Sequence, residues 1–503
     1  KLAAMNEKLA PVLQLKERGA LMEALDRLRA LRQAGIMRAD ELWRTYYLES
    51  TIRYQLYDLP GTLAASWAGL HSPDGQPLRI QQMEYSDHLF MLHYLPHVSD
   101  EIWRARHLGY DAFTRACRQF SHAPERHVHA RLRIGYLAYV FRENVESYFT
   151  MPLLLGYDRS SFEVYCYQLQ EERDLLTEEI EKHVTSFRTF AQNVPFSEVA
   201  RDIYEDEIDI LFDFDVHASG GRTMAVMCYR PAPVQVAGIG YMSTSGSSAV
   251  DYFLGDGYCD PPGLHDEDFC EEILRMRHSH FCYTPSERVR RIRRQYAPHT
   301  PVVFGSFNNF YKLTDEMLTL WLRIVRAVPG SHLLLKNSSH KAAALRVTRR
   351  RLLCLGFRAE EFTLEDADGT YLARYLDVDI ALDPYPYTGG ATTLEALYMG
   401  VPVVSRYGRR HGERFGYSIL RNLGLEALCT DDTEAYVRIA VDLAHQPERL
   451  ARLHAELPAR MQASPLMDGV AYVREMECHY KEIWRRYLAR QAGNQAASSY
   501  NKN

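Results

Sequence analysis

A strand that must turn through paired glycines into a helix constrains this chain more than any other segment. It begins at Val378-Asp-Ile-Ala-Leu382 and runs on through Asp383-Pro-Tyr-Pro-Tyr-Thr-Gly-Gly-Ala-Thr-Thr-Leu-Glu-Ala-Leu-Tyr-Met-Gly-Val-Pro402. The apolar run predicts a buried parallel strand ending at Asp383. Gly389 and Gly390 let the backbone approach a ligand without interference from Cβ. Ala391, Thr392 and Thr393 open the next helix, whose first N–H groups and positive end suit an anion. Glu395, in the first turn, can take both hydroxyls of a ribose. A capped turn would account for the Gly-Gly pair alone, but the ordered set describes a seat for a nucleoside diphosphate.

The same alternation extends on both sides. Arg131-Leu-Arg-Ile-Gly-Tyr-Leu-Ala-Tyr-Val140, Phe162 to Tyr167, Ile208 to Phe214, Val234 to Ile239 and Val250 to Leu254 are short apolar runs with helical stretches between several of them. A second series comprises Val302 to Phe307, Leu333 to Lys336, Phe362 to Leu364, Val378 to Leu382 and Pro402 to Ser405. This pattern predicts α/β architecture with two Rossmann-like halves, ligands lying at the carboxyl ends of their strands in the cleft between them. Residues 1–125 read instead as an all-helical domain of paired helices with breaks at Gly35, Pro60 and Pro73-Asp-Gly75, similar to tetratricopeptide hairpins without a clean repeat signature. The expected boundaries are 126–298 and 299–465 for the two halves, 466–490 for a closing helix and 491–503 for a disordered tail.

Bulk properties exclude several classes. With 503 residues, 46% hydrophobic and 25% charged, the chain can bury several cores. A net charge of -6 argues against a nucleic-acid binder, and the basic run Arg288-Val-Arg-Arg-Ile-Arg-Arg294 reads as a solvated helix face. Nine scattered cysteines without metal-like spacing, no apolar stretch of membrane-spanning length, and an N-terminus lacking a signal-peptide core point to a cytoplasmic protein without a metal site.

Other candidates lie at predicted strand ends. Phe307-Asn-Asn-Phe-Tyr-Lys-Leu313 follows the first strand of the second half, where Asn309 and Lys312 can neutralise a leaving diphosphate. His217 takes the equivalent place in the first half, for acceptor contact, against the plainer alternative of a histidine satisfied by loop carbonyls. The small-residue loop with Tyr241, Ser243 and Thr244 suits hydrogen bonding to a sugar or acceptor, and equally a plain turn. His411 and Arg414 follow Val401 to Ser405 as a lid or phosphate contact, or as a capped solvent-facing turn.

Arg230-Pro-Ala-Pro-Val-Gln235, Gly240-Tyr-Met-Ser-Thr-Ser-Gly246, Phe304-Gly-Ser-Phe-Asn-Asn-Phe-Tyr-Lys312 and Thr392 to Pro402 together resemble the protein O-GlcNAc transferase family, nearest to its bacterial and SPINDLY-type branch. Ser464-Pro-Leu-Met-Asp-Gly469 and the closing helix fit as well, so the resemblance runs from about Arg131 to Leu488. It implies a B-type glycosyltransferase that inverts configuration, needs no metal or cofactor, and moves a sugar from a nucleotide donor to protein side chains. By that resemblance Lys312 contacts the donor diphosphate beside Asn309. Gly390 to Thr393 form the diphosphate loop, Glu395 holds the ribose, Tyr371 stacks on the base and Arg414 follows the penultimate strand. Asn144 departs from a histidine common in the family, which removes a base at that position and leaves His217 as the candidate; Gly390 departs from a histidine of the animal members.

The expected function is therefore transfer of GlcNAc from UDP-GlcNAc onto Ser/Thr of a protein or peptide acceptor. UDP-glucose onto Asn, or GDP-fucose onto Ser/Thr, are alternatives within the fold. A non-catalytic helical scaffold with a nucleotide cleft is the alternative of another class, and the helical domain is a candidate for homo-oligomer contacts.

Overall fold

The computed structural model describes residues 7–500 except 36, 73–75, 293–295, 339–342 and 369–370; side chains at 39, 40 and 494–500 lie outside that set as well. The break expected at Pro73-Asp-Gly75, the last two arginines of the basic run and the final three residues therefore fall outside the described residues.

Two parallel sheets form the body. The first contains β1 (Leu132–Ala138), β2 (Phe162–Gln168), β3 (Ser186–Thr189), β4 (Ile210–Asp213), β5 (Val234–Gly238), β6 (Tyr252–Asp256) and β7 (Glu272–Met276), in the order β3-β2-β1-β4-β5-β6-β7. The second contains β8 (Val303–Ser306), β9 (His332–Lys336), β10 (Phe362–Glu365), β11 (Ile380–Leu382), β12 (Val403–Arg406) and β13 (Cys429–Thr430), in the order β10-β9-β8-β11-β12-β13. Central strands are buried on both faces, β4 and β5 along their whole length, as parallel strands covered by helices must be. Each sheet reverses direction once, between β1 and β4 and between β8 and β11. Loops leaving the carboxyl ends of those four strands should hold the ligand.

The N-terminal helices do two things. Helix Leu21–Gln33 buries Ala24, Leu25, Leu28 and Leu31, one stripe at helical spacing, in a small core shared with Val12, Leu48 and Ile52. Helix Leu78–Leu92 instead joins the main core through Tyr85, Leu89 and Leu92. It lies against the turn after β4 so closely that a Cβ on Gly221 would collide with Ser86, and Gly220 and Gly221 both adopt left-handed φ (71° and 59°). Tyr54 and Tyr57, from the helical segment, stack on Tyr311 of the loop after β8 at 4.2 and 4.1 Å. The helical region is thus clamped to both halves.

The chain ends in a helix, Gly469–Tyr500, that returns to the first sheet. Tyr480 meets Tyr136 of β1 hydroxyl to hydroxyl at 3.2 Å, and Tyr472 donates to the His280 carbonyl at 2.8 Å. The tail expected to be disordered from 491 continues this helix to Tyr500. Among the described residues no helix is long and apolar enough to cross a membrane.

Candidate active site

The loops at the two reversal points face one another across a cavity of about 950 Å³. On the second-sheet side, the loop after β8 supplies Asn308, Asn309 and Lys312 to the wall. Asn309 caps a single turn of helix, its side-chain oxygen accepting from the Tyr311 N–H at 3.1 Å, and so fixes Lys312 three residues on. The Lys312 ammonium donates to the Thr388 carbonyl at 3.2 Å and stands 3.7 Å from the centroid of the Tyr387 ring. Burial lowers its pKa to about 8, with the Asp383 carboxylate opposing that drop.

The glycine turn is built around Asp383. This buried carboxylate accepts from the Gly389 N–H at 2.8 Å and from the Ser405 hydroxyl at 2.6 Å. A Cβ on Gly389 would strike the Thr392 and Thr393 hydroxyls and come within 2.9 Å of Asp383. Glycine is required here by close packing; neither Gly389 nor Gly390 has a positive φ. Helix Ala391–Tyr398 then starts at the cavity, with Gly390, Ala391 and Thr392 on the wall and first-turn N–H groups that have no carbonyl behind them. The Thr392 hydroxyl donates to the Asn308 side-chain oxygen at 3.0 Å and ties the two loops together.

Glu395 lines the same wall one turn later. It is 5% exposed, its carboxylate has no hydrogen-bond partner among the described residues, and burial raises its pKa to about 8. Tyr371 presents its ring to the cavity while its hydroxyl donates to the Phe307 carbonyl at 2.7 Å.

Asn144 lines the opposite wall, in the loop after β1. Its side-chain oxygen accepts from the Ser147 N–H at 2.9 Å, at the start of helix Ser147–Leu155, whose N-cap position is Glu146. Around it the structure gathers residues that the sequence reading missed. Glu146 and Asp215 line the wall, and Phe90 and Tyr94 reach it from the helical region. Asp213 lies buried just behind, at the end of β4. The Asp-Phe-Asp spacing at a strand end was visible in the sequence; the approach of Phe90 was not.

Seven candidates stand elsewhere than expected. His217 is fully buried, with Nδ1 2.9 Å from the Ser86 hydroxyl and Nε2 2.8 Å from the Ser245 carbonyl, and burial lowers its pKa to about 3. It packs the loop after β4 onto helix Leu78–Leu92 and does not reach the cavity wall. Tyr241 is equally buried and meets His107 Nε2 at 3.0 Å, while Thr244 donates to Glu271 at 2.6 Å; of that loop Gly240 and Met242, not Ser243, face the cavity. Thr393 turns toward Asp383. His411 Nδ1 lies 2.9 Å from both Asp260 oxygens, and Arg414 donates to the Tyr258 and Gly408 carbonyls at 2.9 and 2.8 Å. His411 and Arg414 join the two sheets behind the cleft. Arg288, read as part of a solvated face, lines the cavity.

Two groups among the described residues have metal-ligating types close together, His127/His129/Asp209 and Asp256/Cys259/His280, and neither lines the cleft. Asp256 already accepts from His280, Ser418, Tyr258 and Cys259, which leaves it no free lone pair directed at an ion.

Comparison with known proteins places this geometry. The chain is 34% identical over 378 residues to a Solanum lycopersicum protein named as a probable UDP-N-acetylglucosamine–peptide N-acetylglucosaminyltransferase SPINDLY, covering 73% of this chain and 40% of that one. It is 25% identical over 378 residues to an Arabidopsis thaliana relative named SEC, covering 72% and 38%. The chain thus spans about two fifths of the length of these curated relatives. Among solved structures, a lysine-to-methionine mutant of Thermobaculum terrenum O-GlcNAc transferase superimposes with a TM-score of 0.82 at 28% identity, over 95% of this chain and 90% of that one. The family model for glycosyl transferase family 41 matches residues 86–284 and 282–476, the cleft and both sheets included, and the chain belongs to that family.

Proposed function

We propose that this protein transfers a sugar from a nucleoside diphosphate donor, UDP-GlcNAc in the first instance, onto Ser/Thr hydroxyls of a protein or peptide acceptor, with inversion at the anomeric carbon. The observation that carries this reading is the juxtaposition of Lys312 with the open helix start at Gly390–Thr392 and the unpartnered Glu395 on one cavity wall. In that arrangement the diphosphate sits between an ammonium and the N–H groups of a helix terminus, the ribose diol faces Glu395, and the base lies against Tyr371. The acceptor oxygen attacks from the opposite wall, in line with the departing phosphate oxygen. Charge develops on that leaving group, where Lys312 and the helix terminus are already in place. The names of the relatives support UDP-GlcNAc and a peptide acceptor for this chain.

The test is a panel of UDP- and GDP-sugars incubated with the protein and a cell lysate, followed by mass spectrometry of modified peptides. A mass increment of one N-acetylhexosamine on Ser or Thr with UDP-GlcNAc is the expected result. Turnover with GDP-fucose alone would overturn the UDP assignment, and a hexose on Asn would overturn the acceptor.

A further inference from the structure

In-line attack requires the acceptor hydroxyl to lose its proton on the wall opposite Lys312. The Asn144 amide has no basic lone pair, and both nitrogens of His217 are engaged behind the wall. Among the described residues, the carboxylates on that wall are Glu143, Glu146 and Asp215. Glu143 is exposed. Asp215 is held in place by the Tyr139 N–H at 2.7 Å. Glu146 has no side-chain hydrogen-bond partner among the described residues, and its seat is made by a glycine: a Cβ on Gly240 would collide with Glu146 Oε1 and with the Phe214 carbonyl. The two loops flanking this seat carry β-branched residues at left-handed φ, Val216 at 55° and Ile239 at 71°, backbone strain of the kind that persists where a site demands it.

We infer that Glu146 is the proton acceptor for the attacking hydroxyl and that Asp215 is its positioning residue. This rests on the glycosyltransferase reading above. As the acceptor oxygen bonds to the anomeric carbon, the bond from that carbon to the diphosphate oxygen breaks. Its electron pair leaves with the nucleoside diphosphate toward Lys312. The hydroxyl proton passes to a Glu146 oxygen, leaving a neutral carboxyl that returns the proton to water before the next turnover. Burial, together with the charges of Asp215 and Asp213, pushes Glu146 well above the usual carboxylate range, which suits a base working near neutral pH. Facing it are Asp213 and Asp215 from the end of β4, Glu143 on its own loop, and Lys312 and Arg288 across the cavity. Only the ionised form accepts a proton, so kcat rises with pH through this raised pKa. Removing the Asp215 charge lowers that pKa and moves the rising limb to lower pH.

The experiment uses the full chain and whichever nucleotide sugar the panel shows it to turn over. Glu146→Gln is expected to lower kcat about 100-fold or more while the Kd for UDP stays within about twofold, the sign of an intact donor site. Asp215→Asn is expected to shift the rising limb of kcat downward by about one pH unit. An active parent with Glu146→Gln retaining kcat within about threefold, or with Asp215→Asn leaving the limb unmoved, overturns the assignment of this pair alone. A parent that binds UDP yet transfers no sugar overturns the transferase reading and this step with it.

Discussion

Glu395 is a buried carboxyl without a partner among the described residues, and such a group acts against the unliganded fold. Its pKa is raised to about 8 by burial, so the native state keeps a proton that the unfolded chain releases near the ordinary carboxylate value. Stability contributed by that proton is therefore lost as pH rises from the ordinary value toward 8. Replacing it by Gln should stabilise the unliganded protein by about 1 kcal/mol at pH 8 and flatten the fall in melting temperature between pH 5 and 8. The same change should weaken UDP binding about tenfold, one charge-assisted hydrogen bond's worth; unchanged UDP affinity by calorimetry would remove Glu395 from the ribose site. Lys312 has a separate signature. Lys312→Ala should reduce kcat at least about 100-fold, because its charge acts where the leaving group becomes negative, with circular dichroism unchanged. The places of Lys312, Glu395 and Asn144 on the cavity wall were legible in the sequence because each is set by a short local motif at a strand end. His217 was misplaced because its environment, Ser86 on one side and Ser245 on the other, comes from segments 131 and 28 residues away.

At the level of elements, the strand–glycine–helix unit works through packing more than through unusual dihedral angles. Gly389→Ala would put a methyl group onto the Thr392 and Thr393 hydroxyls and Asp383. Overpacking of this kind costs about 1–3 kcal/mol, and it should displace the helix start from Lys312. A lower denaturation midpoint together with a raised KM for the donor would show it; a raised KM with unchanged stability would point to a ligand clash instead. The strands that the sequence did not reveal, β3, β7 and β13, all lie at sheet edges. The four residues of β3 have no fully buried member and β13 is only two residues long, so neither presents the continuous apolar run of a strand covered on both faces.

For the whole molecule, the decisive contacts are those joining the two sheets. Asp260, near the start of the segment after β6, receives His265 Nε2 at 2.8 Å and His411 Nδ1 at 2.9 Å, the latter from the loop after β12. Burial by itself would raise Asp260, but His411 and His265 outweigh it and hold this carboxyl well below the usual range. Its contribution is present above the ordinary carboxylate pKa and lost as pH falls through its depressed value. Asp260→Ala leaves two buried imidazoles without their acceptor and should cost about 3 kcal/mol, read in denaturant unfolding at pH 7. The deficit should shrink as pH falls below the ordinary carboxylate value, because the unfolded parent takes up a proton there while the native carboxylate does not. A variant as stable as the parent at pH 7 would show that this carboxylate–histidine contact adds nothing to the junction of the sheets.

The sequence by itself determined the two alternating halves, the central strands, the glycine turn and the strand-end positions of Lys312 and Glu395, since apolar period, turn chemistry and helix starts are local properties. Only the tertiary structure decided which candidates face the cavity. Side chains a few residues apart on one loop, Asp215 and His217, or Met242 and Ser243, point to opposite sides of the wall, and the packing of helix Leu78–Leu92 and of the second sheet selects which side is open. That choice put His217 behind the wall and the carboxylates Glu146 and Asp215 on it, while the strand that turns through Gly389 kept the place its own residues assigned it.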